Sequence, residues 1–332
     1  ATVAGGISSS DAFTGNTLNK NSDAAVHIAR NFASVNFGYS GNANIGELDS
    51  TPTGSALSSV TVNTNANNVS FDGVISGSGS ITKAGAGTLI LSGTNTYSGG
   101  TTISAGTLSI GSDTNIGSGT NTIGNKGTLL LSGNGTYTND WTLSGAGSAI
   151  ATDNNNTLSG VLSGNGGLTK TGAGTLTLTG NNTYAGGTAI NDGTLKGNIA
   201  SGTDLSIADS ATYDGANAAR SVGGLNGGGK LLNTSGLTVQ SGDFAGIIDN
   251  SNTSLTKTGA GTLTLSGTNT YTGMTTVRSG TLALGSDLTS NQLTLYGGTV
   301  FDRGSHNHSL ERYPECQWGQ QPERHVQRRS FR

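Results

Sequence analysis

Nucleophilic catalysis needs a hydroxyl or thiol with a base in reach, most often a histidine. The chain has four histidines, His27, His306, His308 and His325, so none falls in the long stretch between the first two, and its only cysteine is Cys316. The string nearest to a Gly-Asp-Ser-Gly protease motif is "SGDFAG" at 241–246, where Phe244 stands in the nucleophile's place. Acid–base work on a glycosidic bond needs paired carboxylates, but residues 51–300 hold no Glu and only eleven Asp. Asp113 in "GSDTN" and Asp287 in "GSDLT" occupy the same turn position. They are read as turn carboxylates bonded to their own backbone. His306 and His308 would put two imidazoles on one strand face, yet the G-G-x-G-x-D calcium pattern is missing. The expectation is therefore no catalytic, cofactor-binding or metal-ligating residue, and no enzyme. A β-helix enzyme acting on polysaccharide through an unrecognised site is the alternative.

What the chain does repeat is longer. Residues 81–108 read "ITKAGAGTLILSGTNTYSGGTTISAGTL", 168–195 "LTKTGAGTLTLTGNNTYAGGTAINDGTL" and 255–282 "LTKTGAGTLTLSGTNTYTGMTTVRSGTL". Lys83, Lys170 and Lys257 recur at a period of 87, as do Tyr97, Tyr184 and Tyr271. A fixed long period marks a repeat architecture. The lysines are expected as solvated turn residues rather than a binding stripe. The tyrosines are expected either to pack over a turn or to offer an exposed aromatic to a ligand.

Within each copy the residues alternate. Leu176 and Leu178 point one way, Thr175, Thr177 and Thr179 the other, as do Leu89 with Leu91 and Leu263 with Leu265. A period of two is a strand with one apolar face. Short strands are expected at Thr188–Ile190 and Thr275–Val277, with Gly-Gly, Asn-Asp-Gly and Ser-Gly turns between. Successive Gly-Thr-Leu triplets begin at Gly87, Gly106 and Gly127, a spacing of about 20 residues, which is a solenoid's scale. Three strands and three turns in about 20 residues form one rung of a parallel β-helix, and about four rungs fill the 87-residue unit, advancing roughly 19 Å. An antiparallel sandwich fits less well, because the rung holds three strand–turn units rather than paired hairpins. The narrow interior takes Leu, Ile and Val, while Asn and Thr can ladder along the axis.

Composition agrees with a thin ordered core. Gly accounts for 56 of 332 residues, charged residues for 11%, and the net charge is −3. That weak acidity argues against a nucleic-acid partner, which needs clustered Lys and Arg. No run approaches the roughly 18 apolar residues of a membrane helix, so this chain is not expected to insert into a membrane. Residues 1–60 carry Phe13, Phe32, Phe37 and Tyr39 and are read as a diverged N-terminal β-helix or capping region, in which "AAVHIARNF" fits a strand or a short amphipathic helix. Residues 61–300 form the repeats. Residues 301–332 do not repeat; from Arg303 onward they gather the only Cys, two of three Pro, three of four His and six of nine Arg. The expectation is a disordered, frame-shifted tail beginning near His308 or Leu310.

"TKTGAGTLTLTGNNTYAGGTAINDGTL" resembles the autotransporter-associated β-strand repeat, also called the passenger-associated transport repeat. The resemblance is strong over 81–111, 168–197 and 255–285 and diffuse across about 60–300. It implies a right-handed parallel β-helix from the passenger of a Gram-negative type V secretion protein, with repeats that serve folding and export rather than catalysis. The implied product is an adhesin-type or stalk module, at the outer-membrane surface or extracellular, meeting an unknown host-cell or matrix receptor or another copy of itself. A translocator β-barrel is expected in the full-length protein and is not visible after residue 300. Ice binding by threonine arrays ranks lowest, because degenerate rungs break the Thr-x-Thr pairs.

Overall fold

The computed structural model describes residues 59–302 except 65, 67, 72–74, 77, 250–251, 287–291 and 298. It also describes the backbone of short strands at Val3–Ala4, Ala12–Thr14, Thr17–Lys20, Val26–Ile28, Ser34–Phe37, Ala43–Asp49 and His325–Gln327. Val26–Ile28, in the stretch readable as strand or helix, is strand. Most of the tail expected to be frame-shifted and the His306–His308 pair lie outside the described residues. The chain divides into two compact units, Ala1–Gly186 and Gly187–Arg332.

In the first unit the alternation read from the sequence becomes a parallel β-solenoid. Thr88–Leu91 and Thr175–Leu178 each bury both leucines and turn their threonines outward. On one face the inward residues stack as Val62, Lys83, Ile103, Ile123 and Leu143, each opposite the next. On the following face the stack runs Val69, Leu89, Leu108, Leu129, Ile150 and Lys170. The third carries Tyr137, Leu158 and Leu178. Successive members of the second stack lie about 20 residues apart, the expected rung. Each buried Leu or Ile contributes roughly 1.5–3 kcal/mol, so a rung with one such residue per face closes its own small core against its neighbours.

Outside the first face runs a ladder of hydroxyls, Thr61, Thr82, Thr102, Thr122, Thr142 and Ser163, each paired with the next. This column has one hydroxyl per rung and no Thr-x-Thr pair, since Asn63, Ala84, Ser104, Gly124, Ser144 and Asn165 stand two places on. The repeats show no helical spacing in the sequence, but "DTN" at Asp113–Asn115 forms a single 3-10 turn, with Ser112 capping its start.

The second unit is also a parallel solenoid, with less even rungs. Ile190, Ile207, Gly227, Phe244, Leu265 and Leu284 stack in that order. The rungs from Ile190 to Ile207 and from Gly227 to Phe244 are shorter than the others. Leu195, Tyr213, Leu231 and Ile248 form a second stack. Val222, Val239, Lys257, Val277 and Leu295 form a third. Here Thr212–Gly227 and Lys230–Phe244 run 16 and 15 residues as strand, bending at Ala216, Asn217 and Asn233, which hold positive φ of 55°, 57° and 52°. Corners made this way need fewer turn residues, and large side chains such as Tyr213 and Phe244 fill the interior.

The 87-residue period is not a whole number of rungs. Four full turns from Thr82, through Thr102, Thr122 and Thr142, end at Ser163. The counterpart of Thr82 in the next copy is Thr169, further along the chain. The stretch between Ser163 and Thr169 carries that copy around one corner. Lys83 therefore stands in the first stack of its unit and Lys170 in the second. Equivalent residues of these two copies do not line up along the axis, as whole-rung stacking would require.

Candidate functional site

The recurring lysine and tyrosine of each copy point inward, and this overturns two expectations. Lys83, Lys170 and Lys257 are fully buried rather than solvated. The Lys83 ammonium donates to the carbonyls of Ala84 at 2.9 Å, Gly85 at 2.8 Å and Ala105 at 3.0 Å. Lys257 donates to Thr258 at 2.6 Å, Gly259 at 2.9 Å and Ser279 at 3.0 Å. Lys170 donates to Thr171 at 2.9 Å and Gly172 at 2.6 Å. The lysine stem runs through the core, and its head closes the corner that follows its own strand.

That corner is shaped to receive it. Gly85, Gly172 and Gly259 have φ of 76°, 76° and 71°, in the left-handed region that favours glycine. At Gly106, φ is +67°, and a Cβ there would stand 2.3 Å from the Gly85 carbonyl oxygen and 2.7 Å from Lys83 Nζ. Desolvation pulls the Lys83 ammonium down to about 8 and lowers that of Lys257. The signal was in the sequence: in "ITK", alternation already places Ile81 and Lys83 on the same side.

The tyrosines are core residues, neither draped over a turn nor exposed to a ligand. Tyr97, Tyr184 and Tyr271 are fully buried. The Tyr97 hydroxyl shares a hydrogen bond with Thr101 Oγ1, and Tyr271 does so with Thr275 at 3.1 Å. Burial raises Tyr97 and pushes Tyr271 up to about 12.

A third recurrent residue, not singled out in the sequence, is the Asn two places before each tyrosine. Asn95 Oδ1 accepts from the Ile75 N–H at 2.7 Å, Asn182 from Leu162 at 2.8 Å and Asn269 from Ile248 at 2.9 Å. Each replaces a missing ladder carbonyl with a side-chain amide. Asn269→Ala is expected to cost about 1–3 kcal/mol, because it leaves a buried donor unmade; a denaturant midpoint measured against the parent chain checks this.

The carboxylates are spread out and used between rungs. Asp113 Oδ2 accepts from the Thr138 hydroxyl, Asp140 from the Val161 N–H, Asp204 from the Gly224 N–H and Asp249 from the Thr270 hydroxyl. Asp113 thus ties its turn to the next one rather than to its own backbone. Asp287 lies outside the described residues. Phe244 lies fully in the core. Among the described residues, no three His, Cys, Asp or Glu side chains are placed to hold a metal ion. No helix among them is long and apolar enough to cross a membrane.

These inward residues fall in three segments, and the passenger-associated-transport-repeat matches the chain at the same three, residues 81–110, 168–196 and 255–284. No curated protein and no solved structure matches the chain.

Proposed function

We propose that this chain, which carries three passenger-associated transport repeats, is a non-catalytic adhesin-type or stalk module of an autotransporter passenger, working at the bacterial surface or outside the cell. The observation that carries the reading is the direction of the repeated residues. The lysine, the tyrosine and the paired leucines of each matched segment all face the core. The repeat is thus spent on closing rungs, which is what folding outside a membrane requires, and contributes little side chain to a ligand. Contact with a host-cell or matrix receptor, or with a second copy, falls to the outward polar faces. The buried tyrosines take no part in it.

The test joins the chain to an outer-membrane translocator and reads three things on whole cells: antibody labelling, resistance to added protease, and binding to matrix glycoproteins. The expected outcome is a labelled, protease-resistant chain that binds without consuming its partner. Turnover of a polysaccharide by the purified chain, abolished by Asp204→Asn, would overturn the reading.

A further inference from the structure

We propose that Lys83 and Lys257, the lysines of the first and third repeats, are register latches, positioning residues that fix how the next rung seats on their own. In a solenoid of this composition, a one-residue slip is already forbidden, because it turns every inward side chain outward. A two-residue slip is not. It keeps inward residues inward: beside Lys83 it sets Ile81 opposite Ile103 instead of Thr101, and on the next face Leu89 opposite Ile110 instead of Leu108. The outward threonines add little discrimination.

The lysine ammonium bridges two rungs at one point, as the asparagines at 95, 182 and 269 do elsewhere in each copy. Two of the acceptors of Lys83, Ala84 and Gly85, belong to its own corner, and the third, Ala105, lies 22 residues on in the corner of the next rung. Lys257 repeats the arrangement in the second unit, with Thr258 and Gly259 on its own side and Ser279 again 22 residues on. In each case the residue after the distant acceptor is a glycine with positive φ, Gly106 at 67° and Gly280 at 71°. A two-residue slip carries that carbonyl away from the ammonium. The ammonium would then be one acceptor short inside the core, where an unmade bond is most costly. The lysine's neighbours in the stack are Val62 and Ile103, or Val239 and Val277, which offer no replacement. A single buried polar group that sets register is a known use of such groups. This role stands on the geometry alone and holds whatever the passenger binds.

Cysteine pairs read the register. On a Cys316→Ser background, Thr82→Cys with Thr102→Cys reports the native pairing, since these residues are direct partners. Thr82→Cys with Ser104→Cys reports the two-residue slip, because in the native register these positions are roughly 8 Å apart by strand spacing and rise, too far for a disulfide. After refolding and mild oxidation, Lys83→Met should raise the slipped pair about tenfold or more over the lysine chain, the scale of one buried hydrogen bond left unmade. Leu89→Ala, which destabilises the same rung through a cavity alone, should leave the slipped pair at background. The idea is overturned if Lys83→Met loses stability yet keeps a single register, or if Leu89→Ala slips as much. It is equally overturned if Lys83→Met cannot fold while Leu89→Ala can, since the lysine would then be needed for the rung itself.

Discussion

Leu176→Asp is expected to unfold the rung that contains it, at a cost of about 4 kcal/mol or more, the range of an unpaired charge placed in a core. Leu176 is fully buried and stands opposite Asn156 of the preceding rung. That asparagine cannot rescue the carboxylate, because its amide already donates to the Leu131 carbonyl and to Thr152 Oγ1. Thr177→Asp, one residue on, faces outward beside Thr157 and should stay within about 0.5 kcal/mol, as exposed substitutions do. Urea midpoints with circular dichroism separate the two. Comparable losses from both changes would contradict the assignment of faces.

The second large effect concerns the lysine cage and its dependence on pH. Lys83→Met keeps the buried stem but leaves three carbonyls without their donor, which should cost about 2–4 kcal/mol at neutral pH. The lysine protein should then gain stability on going alkaline. With the folded ammonium at about 8 against 10.5 for an exposed lysine, the unfolded chain binds more protons between those values, and stability rises with pH across that window. The gain is at most about 3 kcal/mol for one such group and smaller where solvent screens it. Above pH 10 the slope reverses. The buried tyrosines keep their protons, with Tyr271 at about 12, while tyrosines of the unfolded chain ionise, so stability is lost as pH rises further. Denaturation at pH 7, 9.5 and 11 should show the rise muted in Lys83→Met and the fall in both proteins. A lysine protein that is no more stable at pH 9.5 than at pH 7, relative to Lys83→Met, would place the ammonium in solvent.

Much of the fold was legible because its causes are local. Alternation in "GTLTL" assigned Leu176 and Leu178 to the core, and the spacing of the triplets set the rung. The strands expected at Thr188–Ile190 and Thr275–Val277 have those bounds. The structure departs from the sequence at residues whose type argues against their phase. The charge of Lys83 argues for solvent, yet "ITK" sets it inward, and three corner carbonyls outweigh that charge. Tyr97, expected over a turn or exposed to a ligand, has instead a hydroxyl partner, Thr101, inside the core. The asparagines at 95, 182 and 269 passed unnoticed because a side chain that completes a backbone ladder leaves no periodic apolar trace.

By itself the sequence determined that this chain is a parallel solenoid with short, regular rungs and that three segments are copies of one unit, since side-chain phase and turn chemistry are properties of neighbours in the chain. Tertiary structure alone decided where each copy lies around the axis. In the first unit four turns from Thr82 end at Ser163, short of its counterpart Thr169 in the next copy, so Lys170 comes to a different face from Lys83. That placement depends on the summed length of every intervening corner, and no single corner's sequence carries the sum.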